Sequence, residues 1–132
     1  MKKIILIAML FIPGIALSSS LTNDETKNAL DYCATPESWA SQYVINSSFR
    51  KDKSFDRMKA TSSLIERTKL VKGDKPIFLK ESGQLYTQTL EITIPYIDKN
   101  KKPAVFIASS IISVEECSLS EVAYFDITHE ID

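Results

Sequence analysis

The chain has one histidine, two cysteines and three glycines in 132 residues, and each scarcity removes a class of function. His129 stands beside Glu130 near the C-terminal end, so a Ser-His-Asp or Cys-His arrangement would have to hold its base on a fraying terminus. One histidine and two cysteines do not supply the four ligands of a structural zinc site. Gly14, Gly73 and Gly83 stand singly, so no glycine-rich loop is present to cradle a phosphate. Basic and acidic residues nearly balance at 16 against 17, which leaves no excess for the basic face that a nucleic-acid binder needs. No apolar run reaches the roughly 18 residues of a membrane span. These residues call for no cofactor and no metal, and no enzyme activity is expected of them.

The most directive stretch is the first. Lys2 and Lys3 lead into the apolar run Ile4 to Leu17, interrupted by Pro13-Gly14 and closing on Ala16-Leu17-Ser18. A charged start, a short apolar middle and small residues at a cleavage site are the layout of a secretory signal peptide. Residues 1–18 are therefore expected to be a leader and residues 19–132 a single periplasmic or secreted domain, with no stable membrane insertion after cleavage. Such a length supports one core. In an oxidising compartment Cys33 and Cys117 are expected to form a disulfide, worth about 4.5 kcal/mol by the loss of chain entropy alone. That bond would pin the first helical region to the last strands.

Thr22-Asn23-Asp24-Glu25 has the form of a capping box and predicts a helix over Asn23 to Tyr32. Thr35-Pro36-Glu37 predicts a second helix start, with threonine as N-cap and proline in the first turn. Beyond it, Trp39, Ala40, Tyr43 and Val44 share one stripe whose two rings can cover a sheet. Ser54 can cap a further turn carrying Phe55 and Met58. Between Thr61 and Val71 the pattern suits either a helix end or a strand, and we place helix to about Ser62 and strand beyond.

From Pro76 the pattern is β. Gly73-Asp74 and Ser82-Gly83 bracket a short strand at Ile77-Phe78-Leu79. Tyr86, Leu90, Ile92, Ile94 and Tyr96 alternate with Thr87, Thr89, Glu91 and Thr93, which predicts a long half-buried strand. Asp98 to Lys102 is the hairpin loop, Val105 to Val114 the return strand, and Val122, Tyr124 and Ile127 a last one. Ala108, Ser109 and Ser110 on the return strand permit a sharp bend or the close approach of a helix, and Pro95 opposite fits an edge or a bulge that promotes curvature, so a curved sheet is expected. The fold class expected is α+β, N-terminal helices packed on a curved antiparallel sheet.

Candidate functional residues are few. Arg50, Lys51, Lys53 and Arg57, with Lys59, form the densest charge feature, diluted by Asp52 and Asp56, and read first as a solvated helix end and second as a partner or membrane-surface patch. Trp39 and Tyr43 read first as core and second as an anchor for a protein partner. Glu115-Glu116 and the acids of the tail read as a solvated face. An acid in the apolar mouth of a curved sheet can carry a raised pKa and abstract protons, and Asp126, beside Tyr124 and Phe125, is the one candidate.

The run Thr35-Pro36-Glu37-Ser38-Trp39, then Pro76-Ile77, Gly83, Tyr86 and Ile92-Thr93-Ile94-Pro95-Tyr96 with its return strand, resembles the periplasmic domain of the IcmL (DotI) family. The resemblance implies a cystatin-like or nuclear-transport-factor-like domain and a place in type IVB secretion assemblies without catalysis. The short leader, the cysteine pair and the tail from Cys117 to Asp132 depart from that family's pattern. The function expected is an exported, non-enzymatic binding or assembly module with a protein partner in the cell envelope. Two alternatives stand beside it: an inhibitor or immunity protein against a toxin or wall-degrading enzyme, and a small-ligand binder using the cone between sheet and helices.

Overall fold

The computed structural model describes residues 21–129. The expected leader over residues 1–18 lies outside the described residues. The first helix, α1, spans Asn23–Tyr32 and starts as the capping box requires. The Glu25 amide donates to Thr22 Oγ1 at 3.1 Å while the Thr22 amide donates to Glu25 Oε2 at 2.9 Å, so two free donors are satisfied reciprocally.

The second helix, α2, spans Trp39–Lys51 and begins later than Thr35-Pro36-Glu37 suggests, with Ser38 at the N-cap. Ser38 is buried, and its hydroxyl lies 2.8 Å from both the Cys33 and Thr35 carbonyls. Thr35 and Pro36 thus belong to a turn that those bonds hold together. The buried side of α2 carries Ala40, Ser41, Val44, Ile45, Ser47 and Ser48. Trp39 and Tyr43, expected to cover the sheet, are instead 49% and 42% exposed.

After α2 the chain makes only a 3-10 turn, Arg57–Lys59, and strand β1 begins at Thr61, so the helix expected to reach Ser62 is not formed. Ser54 does not cap a helix; its amide and hydroxyl both donate to Asp52 Oδ1, which closes a side-chain turn. Strand β1 is Thr61–Lys69, and the chain then makes two small hairpins, β2 (Val71–Lys72) with β3 (Lys75–Pro76) and β4 (Phe78–Leu79) with β5 (Gly83–Gln84). Gly73 turns the first with φ +62, a region glycine enters without steric cost. Strands β6 (Tyr86–Ile94), β7 (Ala104–Ile112) and β8 (Ala123–Asp126) complete the set.

The main sheet is antiparallel with strand order β1-β6-β7-β8. It is open, with β1 and β8 as edges, and neither curls round nor closes, which corrects the curved cystatin-like or nuclear-transport-factor-like expectation. Of the two readings open for the small residues, close approach of a helix holds and the bend does not. Pairing of β6 with β7 runs without a register shift from Tyr86↔Ile112 to Ile94↔Ala104, straight through Ala108, Ser109 and Ser110. Ala108 and Ser110 are small because they are buried on the helix-bearing face, and Pro95 lies just past the end of β6, where no ladder amide is needed. The one irregularity is a bulge between Leu64 and Glu66 on β1.

Helix α2 lies over β6 and β7, and Val44, Ile45, Leu90, Ile92, Ile94 and Phe106 fill the space between them. A smaller cluster of Leu30, Cys33 and Ile112 seats α1, and Cys33 there bonds Cys117 across 84 residues, as the sequence predicts. Arg67 joins the same region: its guanidinium lies 2.8 Å from Asp31 Oδ1, 2.8 Å from the Leu30 carbonyl and 2.7 Å from Gln88 Oε1. Buried Gln88 in turn donates to the Cys33 carbonyl at 3.1 Å.

Candidate functional site

Helix α2 carries two flanks of different character. On one, Trp39 and Tyr43 stand one turn apart with ring centroids 6.2 Å from each other. Tyr43 meets the Tyr124 ring of β8 edge-on at 6.2 Å, and Tyr124 meets Phe106 of β7 at 6.1 Å. The rings therefore form a continuous row from the helix start to the sheet edge. At its near end Tyr32 and Trp39 wall a groove of about 460 Å³ that also meets Cys117 and Glu115. The disulfide, whose Cys117 lines this groove, ties the α1 C-terminus to the loop after β7.

The other flank takes up Lys53 and Arg57 of the basic cluster. Lys53 Nζ and Arg57 Cζ lie 4.4 and 4.2 Å from the Phe49 ring centroid, while Arg57 also donates to Asn46 Oδ1 at 3.4 Å. Arg50 donates to Ser47 Oγ at 3.2 Å. Lys51 is separate, its Nζ 3.5 Å from the Tyr124 hydroxyl on the aromatic flank. Of the six candidate partner residues Trp39 meets Tyr43, Lys51 meets Tyr124 at the other end of α2, Arg50 bonds Ser47, and Lys53 and Arg57 lie over Phe49. The basic residues do not form one patch.

At the far end of the aromatic row lies a cleft of about 480 Å³ between the α2 C-terminus and the sheet. Phe55, Tyr96, Phe106 and Tyr124 are its apolar walls, and Asp52, Asp126 and Lys51 its charges. Phe55 and Tyr96 stack at 4.5 Å and 22°, held by a β-bridge between their backbones. Tyr96 is thus a wall of this cleft rather than a continuation of β6.

Both carboxylates are held ionised. The Ser54 hydroxyl, then its amide, keeps Asp52 below the ordinary carboxylate value, and Lys101 adds to the effect. The Thr128 hydroxyl and amide do the same for Asp126, with His129 helping. Asp126 therefore has a lowered pKa where a raised one was expected for a proton-abstracting acid, because it is exposed and receives two donors. The Tyr96 phenol is pushed up, first by burial and then by the negative charges of Asp52 and Asp126.

The sequence reading missed Tyr32, Asp52, Phe55 and Tyr96 as surface or cleft residues. A helical wheel of α2 centred on Ala40, Val44 and Ser48 would have placed Trp39 and Tyr43 off the buried stripe. Nothing local signals the meeting of Phe55 with Tyr96. No family model matches the chain, and neither a curated protein nor a solved structure matches it.

Proposed function

We propose that the protein is a non-enzymatic binding module of the cell envelope, exported and disulfide-stapled, that docks a protein partner through the aromatic flank of α2. The observation that carries this reading is the exposure of Trp39 and Tyr43, 49% and 42%, on a helix whose other side is filled by core. Tryptophan and tyrosine are the side chains that most often anchor a protein interface, because each hides a large rigid area at little entropic cost. Tyr32 at 58% exposure extends the row toward the disulfide. The IcmL (DotI) resemblance no longer supplies a fold argument, since the sheet is open. What supports the reading is the surface itself.

The test is site-specific photocrosslinking of the exported protein in native envelopes, with the label at position 39 or at position 57. Trp39 is expected to yield one discrete adduct that Tyr43→Ala abolishes and that the Arg57 label does not give. Equal crosslinking from both flanks, or an adduct indifferent to Tyr43→Ala, rejects this surface.

A further inference from the structure

We propose that the cleft at the C-terminal end of α2 is a binding site for an alkylammonium group, taken up between the Tyr96 and Tyr124 rings and held by Asp52 and Asp126. The lining itself carries two carboxylates, Asp52 and Asp126, and one lysine, Lys51, while Lys101 reaches the Tyr96 ring from outside it. Neither carboxylate has an ion-pair partner within 4.0 Å among the described residues. An anion would meet both of them. Asp52, Asp126 and Tyr96 line this one cleft, and hydrogen bonds from Ser54 and Thr128 hold the two carboxyls below the ordinary carboxylate value.

The preference for ammonium over a metal ion follows from the walls. Aromatic faces attract a diffuse organic cation but offer a hard ion no oxygen shell. The chain itself supplies a precedent in this cleft: Lys51 Nζ lies 5.8 Å from the Tyr124 centroid. Lys101 Nζ lies 4.9 Å from the Tyr96 centroid, lining the neighbouring groove, and both lysines are exposed. A volume of about 480 Å³ admits a small molecule as well as one lysine side chain.

The experiment follows ring-proton shifts of the disulfide-bonded protein by NMR during titration with n-butylammonium, its neutral counterpart n-butanol, and the peptide Gly-Gly-Lys-Gly-Gly. Butylammonium is expected to saturate shifts at Tyr96 and Tyr124 that butanol leaves unchanged. Asp52→Asn and Asp126→Asn keep the acceptor oxygens for Ser54 and Thr128, and each is expected to weaken binding about fivefold, the effect of one unit charge at about 4 Å in water. Lys51→Met removes a competitor and should tighten it. Peptide binding tighter than butylammonium assigns the ammonium to a lysine of a partner chain, and the reverse order to a free amine. Equal binding of butanol, or affinity unchanged in both asparagine variants, overturns the proposal.

Discussion

Arg67 shows how one side chain can hold two layers together. Its guanidinium meets Asp31, the Leu30 carbonyl and Gln88, so a single residue of β1 ties the end of α1 to the middle of β6. Replacing it with methionine would leave the Gln88 oxygen and the Leu30 carbonyl without that donor. The expected loss is about 2–4 kcal/mol, measured by urea unfolding. Asp31 contributes less because its side chain is 40% exposed and solvent screens the pair. The Arg67 guanidinium first, and Lys27 second, hold its carboxyl below the ordinary 3.8. A lowered folded pKa means that the contribution is complete above 3.8 and disappears as the pH falls through the folded value. Asp31→Asn is therefore expected to cost about 1 kcal/mol at neutral pH, and urea midpoints of the two proteins should converge in acid.

At the scale of the element, β1 explains why its own sequence was ambiguous. Leu64 pairs with Leu90 on the helix side of the sheet, and without a bulge Glu66 would follow it there. The extra residue at Ile65 shifts the register, so that Arg67 pairs with Gln88 and faces the helices instead. Alternation at period two is thus broken in the middle of the strand, and adjacent Leu64 and Ile65 imitate a helical pattern. Helix α1 is the contrasting case, since its start is encoded by four contiguous residues. Thr22→Ala removes the cap acceptor for the Glu25 amide and is expected to cost about 1 kcal/mol in thermal unfolding. If the midpoint does not change, the disulfide rather than the cap holds α1 in place.

For the molecule as a whole, α1 depends on the staple. Among the described residues its buried contacts come from the small cluster of Leu30, Cys33 and Ile112, whereas α2 rests on the large one. A bond closing 84 residues is worth about 4.5 kcal/mol in the chain-entropy model. Cys33→Ala with Cys117→Ala is expected to lower stability by about 2–5 kcal/mol. Amide exchange should rise first in residues 23–32, ahead of β6 and β7. Uniform loss of protection across the sheet would show that the bond stabilises the whole chain rather than anchoring one helix. No helix among the described residues is long and apolar enough to cross a membrane.

The capping box, the β6–β7 hairpin and the cysteine pair were legible from residues alone, because each depends on spacing between neighbours or on an even cysteine count. The α+β class and the order of helices before strands follow from the same periodicities. Only the tertiary structure decided the shape of the sheet and the location of the surface sites. Small residues at Ala108 and Ser110 permit either a bend or a close helix, and the seating of α2 on β7 selects the second. In the same way, the rings of Trp39, Tyr43, Phe55, Tyr96 and Tyr124 carry no address in the chain. Their meeting is set by where α2 lies on an open sheet, which is a long-range packing outcome that no local pattern encodes.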